Sequence, residues 1–177
     1  MSDNQERMPY MEAMAYATTM VYYLSPLCSR IEIAGSLRRK KETIGDIEIV
    51  LILKPEFDMF GAPVESSDSG IVDSLTEHGF KFIKNGKKYK QVSFYNGVTV
   101  DLFITTPEKW GCIFLIRTGS AEFSHNLVTK KSIGGWCPSN LNFKDGRIWN
   151  GERVMDTPEE EDVFRALGID WYRPEER

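Results

Sequence analysis

Three carboxylate residues stand at positions where a metal ion could be held. Asp46 and Glu48 are two residues apart at the start of an apolar run that continues to Leu53, and Asp101 lies within a second run, residues 98–103. Side chains of a strand alternate between its two faces, so Asp46 and Glu48 would leave the same face. Carboxylates gathered in this way repel one another unless a cation lies between them. Oxygen ligands favour hard ions, Mg²⁺ first and then Mn²⁺.

A turn with basic neighbours precedes these acids and adds a second kind of chemistry. Gly35 and Ser36 begin the turn, and residues 38–41 are all basic. Backbone N–H groups of such a turn, together with arginine side chains, can bind a polyphosphate. Acids on two neighbouring strands could hold two metal ions about 4 Å apart, which is the separation used for in-line attack on phosphorus. Either motif alone is common in solvated strands and ordinary turns, whereas the combination favours phosphoryl transfer.

Composition limits the class of protein. The chain has 177 residues, of which 41% are hydrophobic, so it can form a packed core. Its net charge of −4 argues against tight non-specific binding of nucleic acid. Any contact with nucleic acid is therefore expected at local basic patches. Three widely spaced cysteines, without a C-x-x-C pair, indicate neither a zinc site nor a disulfide framework. We therefore expect a cytoplasmic monomer in a reducing compartment, without a membrane span.

The hydrophobic pattern of the first half predicts a sheet with helices. Helices are predicted at residues 11–24 and 68–78, and a loop at residues 55–66. The predicted strands are residues 31–34, 47–53, 80–84, 89–94 and 98–103. This order predicts an α+β fold whose sheet is mixed, mostly antiparallel and covered by helices on one face.

The second half begins near residue 106 with a change of composition. A helix is predicted at residues 107–117, and Ser120 is expected to cap a further helix that ends near Gly134. Asp145-Gly146 predicts a hairpin turn. Residues 157–160, Thr-Pro-Glu-Glu, predict a capping box for a last helix that stops at Gly168.

These motifs together resemble a known family. The Gly-Ser turn, the arginine pair, the Gly-Asp-x-acid segment and the later strand Asp101 resemble the signature of the nucleotidyltransferase superfamily. The Thr-Gly-Ser segment at residues 118–120 and the Tyr-Arg-Pro segment at residues 172–174 resemble the thumb of family X DNA polymerases. The resemblance implies a nucleotidyltransferase palm at residues 1–105, followed by a small α+β, polymerase beta-like thumb at residues 106–177.

The resemblance also implies roles for particular residues. Three acids would be catalytic and would hold two Mg²⁺ ions, or Mn²⁺ in their place: Asp46, Glu48 and Asp101. The nucleotide would be bound by Gly35, Ser36, Arg39, Gly45, Arg117, Thr118, Gly119 and Ser120. Arg38 is expected to have a structural partner. Among the lysines around the turn at residues 85–86, namely Lys84, Lys87, Lys88 and Lys90, we expect Lys87 and Lys88 to contact DNA.

The chain departs from the family pattern at several positions. Glu48 replaces the second aspartate of Asp-x-Asp, and Ile116 and Arg117 stand where the family has two aromatic residues. Ser124 and Val128 occupy positions where the family often has Asn and Arg. The leading hypothesis is metal-dependent nucleotidyl transfer from a nucleoside triphosphate to the 3′ hydroxyl of gapped or primed DNA, without deoxyribose-phosphate lyase activity. Transfer to tRNA, a protein or a small molecule, and a non-catalytic binding module, remain as alternatives.

Overall fold

The structure is a computed structural model that describes residues 7–64 and 67–177. Its helices are α1 (Tyr10–Leu24), α2 (Gly35–Arg38), α3 (Ser69–Glu77), α4 (Trp110–Thr118), α5 (Ala121–Val128) and α6 (Glu160–Leu167). Its strands are β1 (Met8–Pro9), β2 (Cys28–Ile33), β3 (Thr43–Ile44), β4 (Ile47–Leu53), β5 (Glu56–Phe57), β6 (Pro63–Val64), β7 (Lys81–Asn85), β8 (Tyr89–Ser93), β9 (Thr99–Thr105), β10 (Leu141–Lys144), β11 (Arg147–Asn150) and β12 (Arg153–Val154).

The main sheet has five strands in the order β2-β4-β9-β8-β7. Only the central pair, β4 and β9, is parallel, and every other neighbouring pair in this sheet is antiparallel. The α+β fold with a mixed, mostly antiparallel sheet is therefore confirmed. The parallel pair matters for the site because it sets the starts of β4 and β9 side by side.

Alternation along β4 divides the sheet into two faces, as the sequence predicted. Ile47, Ile49 and Leu51 belong to the core that helices α1 and α3 cover. Val50 and Ile52 face the other way and belong to a smaller cluster with two aromatic residues of α4, Trp110 and Phe114. Glu48 has the same parity as Val50, so its side chain leaves the face on which α4 packs.

A second core lies in the later part of the chain. Helices α4, α5 and α6 and the strand β11 contribute to it residues such as Leu115, Phe123, Ile148 and Val163. The turn at Asp145-Gly146 joins β10 to β11, and both of its residues have positive φ angles, 52° and 74°. The hairpin predicted there is confirmed. The division into domains at residue 105 stays a prediction.

Two helix boundaries differ from those expected. Helix α5 ends at Val128 rather than near Gly134, because Thr129 is extended and the following loop folds back, with Cys137 N–H donating to the Thr129 carbonyl at 2.8 Å. Helix α6 begins at Glu160, and its capping box is formed by Glu159 with Asp162. Thr157 was predicted to begin this capping box, but it lies two residues before the N-cap, and its buried hydroxyl lies 3.4 Å from Cys112 Sγ instead.

Other elements also depart slightly from the expectation. The segment predicted as a loop at residues 55–66 contains the short antiparallel pair β5–β6. The turn predicted at Gly35-Ser36 is the first part of the single-turn helix α2. Helix α6 ends at Gly168, which has the left-handed conformation, as predicted. Among the helices of the described residues, none is long and apolar enough to cross a membrane.

Candidate active site

The two strand acids lie side by side in the sheet. Glu48 pairs with Asp101 in the parallel register of β4 and β9, and Asp46 lies just before β4. The pKa of Glu48 is raised to about 7, chiefly by burial; Asp101 and Asp46 add to the shift, and Arg117 and Arg39 oppose it. The pattern Asp-x-Glu with a later Asp therefore brings three carboxylates close together, with two arginines beside them.

Asp101 is held by two neighbouring side chains on β8. The Tyr89 hydroxyl donates a hydrogen bond to Asp101 Oδ1 at 2.8 Å, and Gln91 Nε2 donates to the same oxygen at 3.0 Å. Burial, followed by the hydrogen bond to Asp101, raises the pKa of Tyr89 to about 12. The phenol thus stays protonated at neutral pH and remains a donor.

The acids suit a hard cation in their chemistry. All three donors are carboxylates, and a cation would relieve the repulsion that contributes to the raised pKa of Glu48. Within residues 7–64 and 67–177, however, no three His, Cys, Asp or Glu side chains form a group that could hold a metal ion as they stand. The donor set fits Mg²⁺ or Mn²⁺, and their binding stays a prediction.

The turn before the acids is built closely against them. Gly35 has a φ angle of +60°, a conformation that favours glycine. A Cβ atom at residue 35 would overlap Glu48 Oε2, so the glycine also allows the longer acid to lie against the turn. Ser36 follows at the start of α2, which brings a hydroxyl and the first backbone N–H groups of the helix close to the acids.

The two arginines of this turn have different environments. Arg38 forms a bidentate ion pair with Glu160, with distances of 2.7 and 2.6 Å from its two terminal nitrogens to Oε1 and Oε2. The structural partner predicted for Arg38 is confirmed. Arg39 instead donates to the Thr118 carbonyl at 2.5 Å, and burial lowers its pKa. Its Nε is buried and has no hydrogen-bond partner among the described residues.

A cavity of about 370 Å³, here called the small cavity, brings most of the predicted nucleotide-binding residues together. Its walls include Ser36, Arg39, Gly45, Asp46, Glu48, Arg117, Gly119 and Ser120, together with Arg7, Ile116, Ala121 and Ser124. The turn, Asp46 and Glu48 thus share one cavity with the start of α5. Residues predicted to bind polyphosphate and two of the three residues predicted to bind a cation therefore line the same space.

A larger cavity of about 1360 Å³, here called the large cavity, adjoins the small one and shares Glu48 and Arg117 with it. Asp101 lies in its wall, as do the two lysines predicted to contact DNA, Lys87 and Lys88. The Arg117 guanidinium lies 3.8 Å from the centre of the Phe103 ring. Arg117 therefore stands between the two cavities.

Two of the predicted nucleotide-binding residues line neither cavity, and one lysine near the turn at residues 85–86 is buried. Thr118 is fully buried and lines neither cavity; its hydroxyl accepts a hydrogen bond from Arg38 at 2.7 Å. Gly35 is buried beneath Glu48 and also lines neither cavity. Lys90, unlike Lys87 and Lys88, is buried and forms an ion pair with Asp68 at 2.6 Å. Burial and this pairing leave Lys90 unable to reach a DNA backbone.

Sequence reasoning missed several residues of the site. Tyr89 and Gln91 have no motif, and only the antiparallel register of β8 with β9 brings them to Asp101. Arg7 lines the small cavity and donates to Thr43 through its side chain. Ser120 was expected as a helix cap, and its hydroxyl does accept a hydrogen bond from the Phe123 N–H at 3.2 Å.

Comparison with known proteins finds distant similarity and gives no family assignment. No protein-family model matches the chain. The chain is 28% identical to DNA polymerase lambda of Rattus norvegicus, in an alignment that covers 99% of this chain and 34% of that protein. The chain thus spans about a third of the length of this curated relative. The similarity gives general support to the resemblance to family X DNA polymerases.

Proposed function

We propose that this protein is a metal-dependent nucleotidyltransferase that adds a nucleotide to the 3′ hydroxyl of DNA and fills short gaps. The observation that carries the proposal is the small cavity, which combines Ser36 and Arg39 with Asp46 and Glu48. Such a cavity suits a nucleoside triphosphate, whose phosphates need cationic and N–H donors as well as a metal ion. The similarity to DNA polymerase lambda supports DNA as the acceptor.

The turn residues would bind the outer phosphates. Arg39 lines the small cavity beside the acids, and its guanidinium would supply a charged donor for phosphate oxygens. The Ser36 hydroxyl and the N–H groups of Ser36 and Gly45, which line the same cavity, would add neutral donors. At the opposite wall, Gly119 and Ser120 would face the sugar and base of the nucleotide.

Asp46 and Glu48 would hold the metal ion at the triphosphate, and with Asp101 they would hold a second ion. When bound, Mg²⁺ or Mn²⁺ supplies Lewis-acid stabilisation of the phosphoryl oxygens and acidifies the attacking hydroxyl. A nearby cation favours the ionised carboxylate, so Glu48 would release its proton as the site fills. The carboxylates would thereby fix the triphosphate in position for in-line attack.

The chemical step is a displacement at the α-phosphorus. The 3′ oxygen forms a bond to this phosphorus, and the bond from the phosphorus to the bridging oxygen of pyrophosphate breaks, with its electron pair leaving on pyrophosphate. The proton of the 3′ hydroxyl passes to the Asp101 carboxylate, which would lie nearest to it. DNA would occupy the large cavity, where Lys87 and Lys88 would neutralise backbone phosphates.

Primer extension on a duplex with a one-nucleotide gap tests the proposal. The wild-type protein and Asp46→Ala are compared with Mg²⁺ and then Mn²⁺, using each deoxynucleotide and ribonucleotide singly. We expect addition of the template-matched nucleotide, reduced roughly a thousandfold or more in the variant because a metal-binding carboxylate is lost. Circular dichroism of both proteins provides the control for folding.

Two other results would change the proposal. Addition that ignores the template would replace gap filling with terminal transfer. If the folded protein adds nothing with either metal, DNA is not the acceptor, and tRNA, protein and small hydroxyl compounds are tested next with the same pair of proteins.

A further inference from the structure

The register of β8 against β9 brings two uncharged donors to one of the acids. Gln91 lies directly opposite Asp101, and Tyr89 lies opposite Phe103, two residues further along the same face. Residues 89 and 91 therefore form, with Asp101, a row of side chains across two neighbouring strands. This arrangement follows from the pairing of the strands and involves none of the motifs of the sequence.

Both donors form hydrogen bonds with the same carboxylate oxygen. The Tyr89 hydroxyl lies 2.8 Å and Gln91 Nε2 lies 3.0 Å from Asp101 Oδ1. The other oxygen, Oδ2, accepts no hydrogen bond from any side chain in the described part of the chain. The terminal torsion of an aspartate is intrinsically broad, so two bonds to one oxygen select one orientation of the carboxylate.

The phenol is itself held in place. Its ring stacks on the Phe103 ring with 5.3 Å between centroids and an angle of 26° between planes. Phe103 also lies against the Arg117 guanidinium, at 3.8 Å from the ring centre. Tyr89 cannot swing away from Asp101 without losing this stack. Its orientation therefore depends on packing in the wall of the large cavity.

We propose that Tyr89 and Gln91 are positioning residues: they fix Oδ1 of Asp101 so that Oδ2 is presented to the cation and the attacking hydroxyl. The inference rests on the proposed function for the role of Asp101. Partners that orient a metal-binding carboxylate contribute about 10- to 100-fold to metal affinity or activity. Neither residue touches the reacting atoms, so their effect passes through Asp101.

The test uses Tyr89→Phe and Gln91→Leu, which remove one donor each; the phenylalanine keeps the ring that stacks on Phe103. The matched control is Tyr95→Phe, because Tyr95 is 95% exposed. Steady-state gap filling gives kcat and KM, and electron paramagnetic resonance titration of Mn²⁺ without nucleotide gives the metal affinity. We expect each variant to lower kcat by about 10- to 100-fold with KM for the nucleotide changed less than about threefold.

The Mn²⁺ titration separates positioning from a merely structural role. Weaker Mn²⁺ binding by Tyr89→Phe, about tenfold or more, at an unchanged melting temperature supports positioning. Wild-type kcat and Mn²⁺ affinity in both variants, or a lower melting temperature with unchanged Mn²⁺ affinity, would overturn it. If the wild-type protein transfers no nucleotide, the proposed function fails, and the Mn²⁺ comparison still decides the role of Tyr89 and Gln91.

Discussion

Glu48 and Glu160 are both withdrawn from solvent, but of the two, Glu160 is the one that forms ion pairs within the described residues. Glu160 is 4% exposed and is paired with Arg38 on one side and with Arg177, 2.7 Å away, on the other. Glu48 has charges of both signs nearby: burial, as the largest cause, raises its pKa to about 7, with Asp101 and Asp46 adding to the shift and Arg117 and Arg39 opposing it. Glu160 is thus neutralised by two ion pairs, whereas Glu48 is only partly compensated.

Charge has a different role in each of the two regions. A buried ion pair holds elements together only when the geometry is good, and the Glu160 network joins α2 to α6 with bidentate contacts. A buried carboxylate that has no ion pair and lies beside other acids destabilises the protein, and a bound cation would supply the missing counter-charge. Substitution of each glutamate by glutamine should therefore shift stability in opposite directions.

The largest expected effect on stability comes from Glu160→Gln. Removing this charge leaves the guanidinium groups of Arg38 and Arg177 without their carboxylate, and Arg177 has a fully buried side chain. We expect the free energy of unfolding to fall by about 3 kcal/mol or more, measured by urea denaturation at pH 7. Glu161→Gln, on the exposed face of the same helix, is the matched control and should change it by less than about 0.5 kcal/mol.

A smaller effect of opposite sign is expected from Glu48→Gln in metal-free buffer with EDTA. The folded-state pKa of about 7 exceeds the unfolded value of 4.5, so the folded protein binds the proton more tightly. The stability gained from that proton is complete below pH 4.5 and is lost as the pH rises through about 7. At pH 8 the variant should be more stable by about 2–4 kcal/mol.

Urea denaturation at pH 8 and at pH 4 measures this difference. The two proteins should become nearly equal at pH 4, where Glu48 is protonated in both the folded and unfolded states. Glu152→Gln, an exposed glutamate of a turn, serves as the control. If the wild-type protein is more stable than the variant at pH 8, the charge of Glu48 is compensated like that of Glu160. That result would contradict the difference between the two glutamates.

The smallest effect is expected from Glu175→Gln. Its carboxylate lies 2.6 Å from Lys40 Nζ. Like the pair of Arg38 with Glu160, this ion pair joins the segment around α2 to the C-terminal part of the chain. Both side chains are exposed, so water and salt screen the pair. We expect the urea midpoint to remain within experimental error of the wild type. A loss as large as that of Glu160→Gln would show that burial does not separate the two pairs.

Features with local signals could be predicted from the sequence. Strand β4 has the bounds that its apolar run predicted, and Ser120 caps its helix as its position indicated. The hairpin turn at Asp145-Gly146, whose two residues have positive φ angles, was likewise predictable from residue type. Each of these depends on neighbours within a few positions along the chain.

Features that depend on distant pairing could not be predicted. Arg38 and Glu160 are 122 positions apart, and no property of either segment indicates the other as its partner. The Tyr89–Asp101 bond depends on the register of two strands, which a slip of one residue would abolish. The burial of Thr157 and Lys90 depends on side chains from other elements, so residue type alone suggested a cap and a surface lysine.

The contact of Gly35 with Glu48 has a consequence for how this site can change by mutation. A side chain at residue 35 meets two separate obstacles, a left-handed backbone and the carboxylate of residue 48. Shortening Glu48 to aspartate would withdraw the overlapping Oε2 but keep the Cβ of residue 48, which would lie 3.3 Å from a Cβ at residue 35, and would leave the backbone obstacle unchanged. Substitution of Glu48 by aspartate can therefore precede any substitution of Gly35, but the reverse order is disfavoured. A protein with aspartate at residue 48 would still require glycine at residue 35, because the backbone there has a positive φ angle.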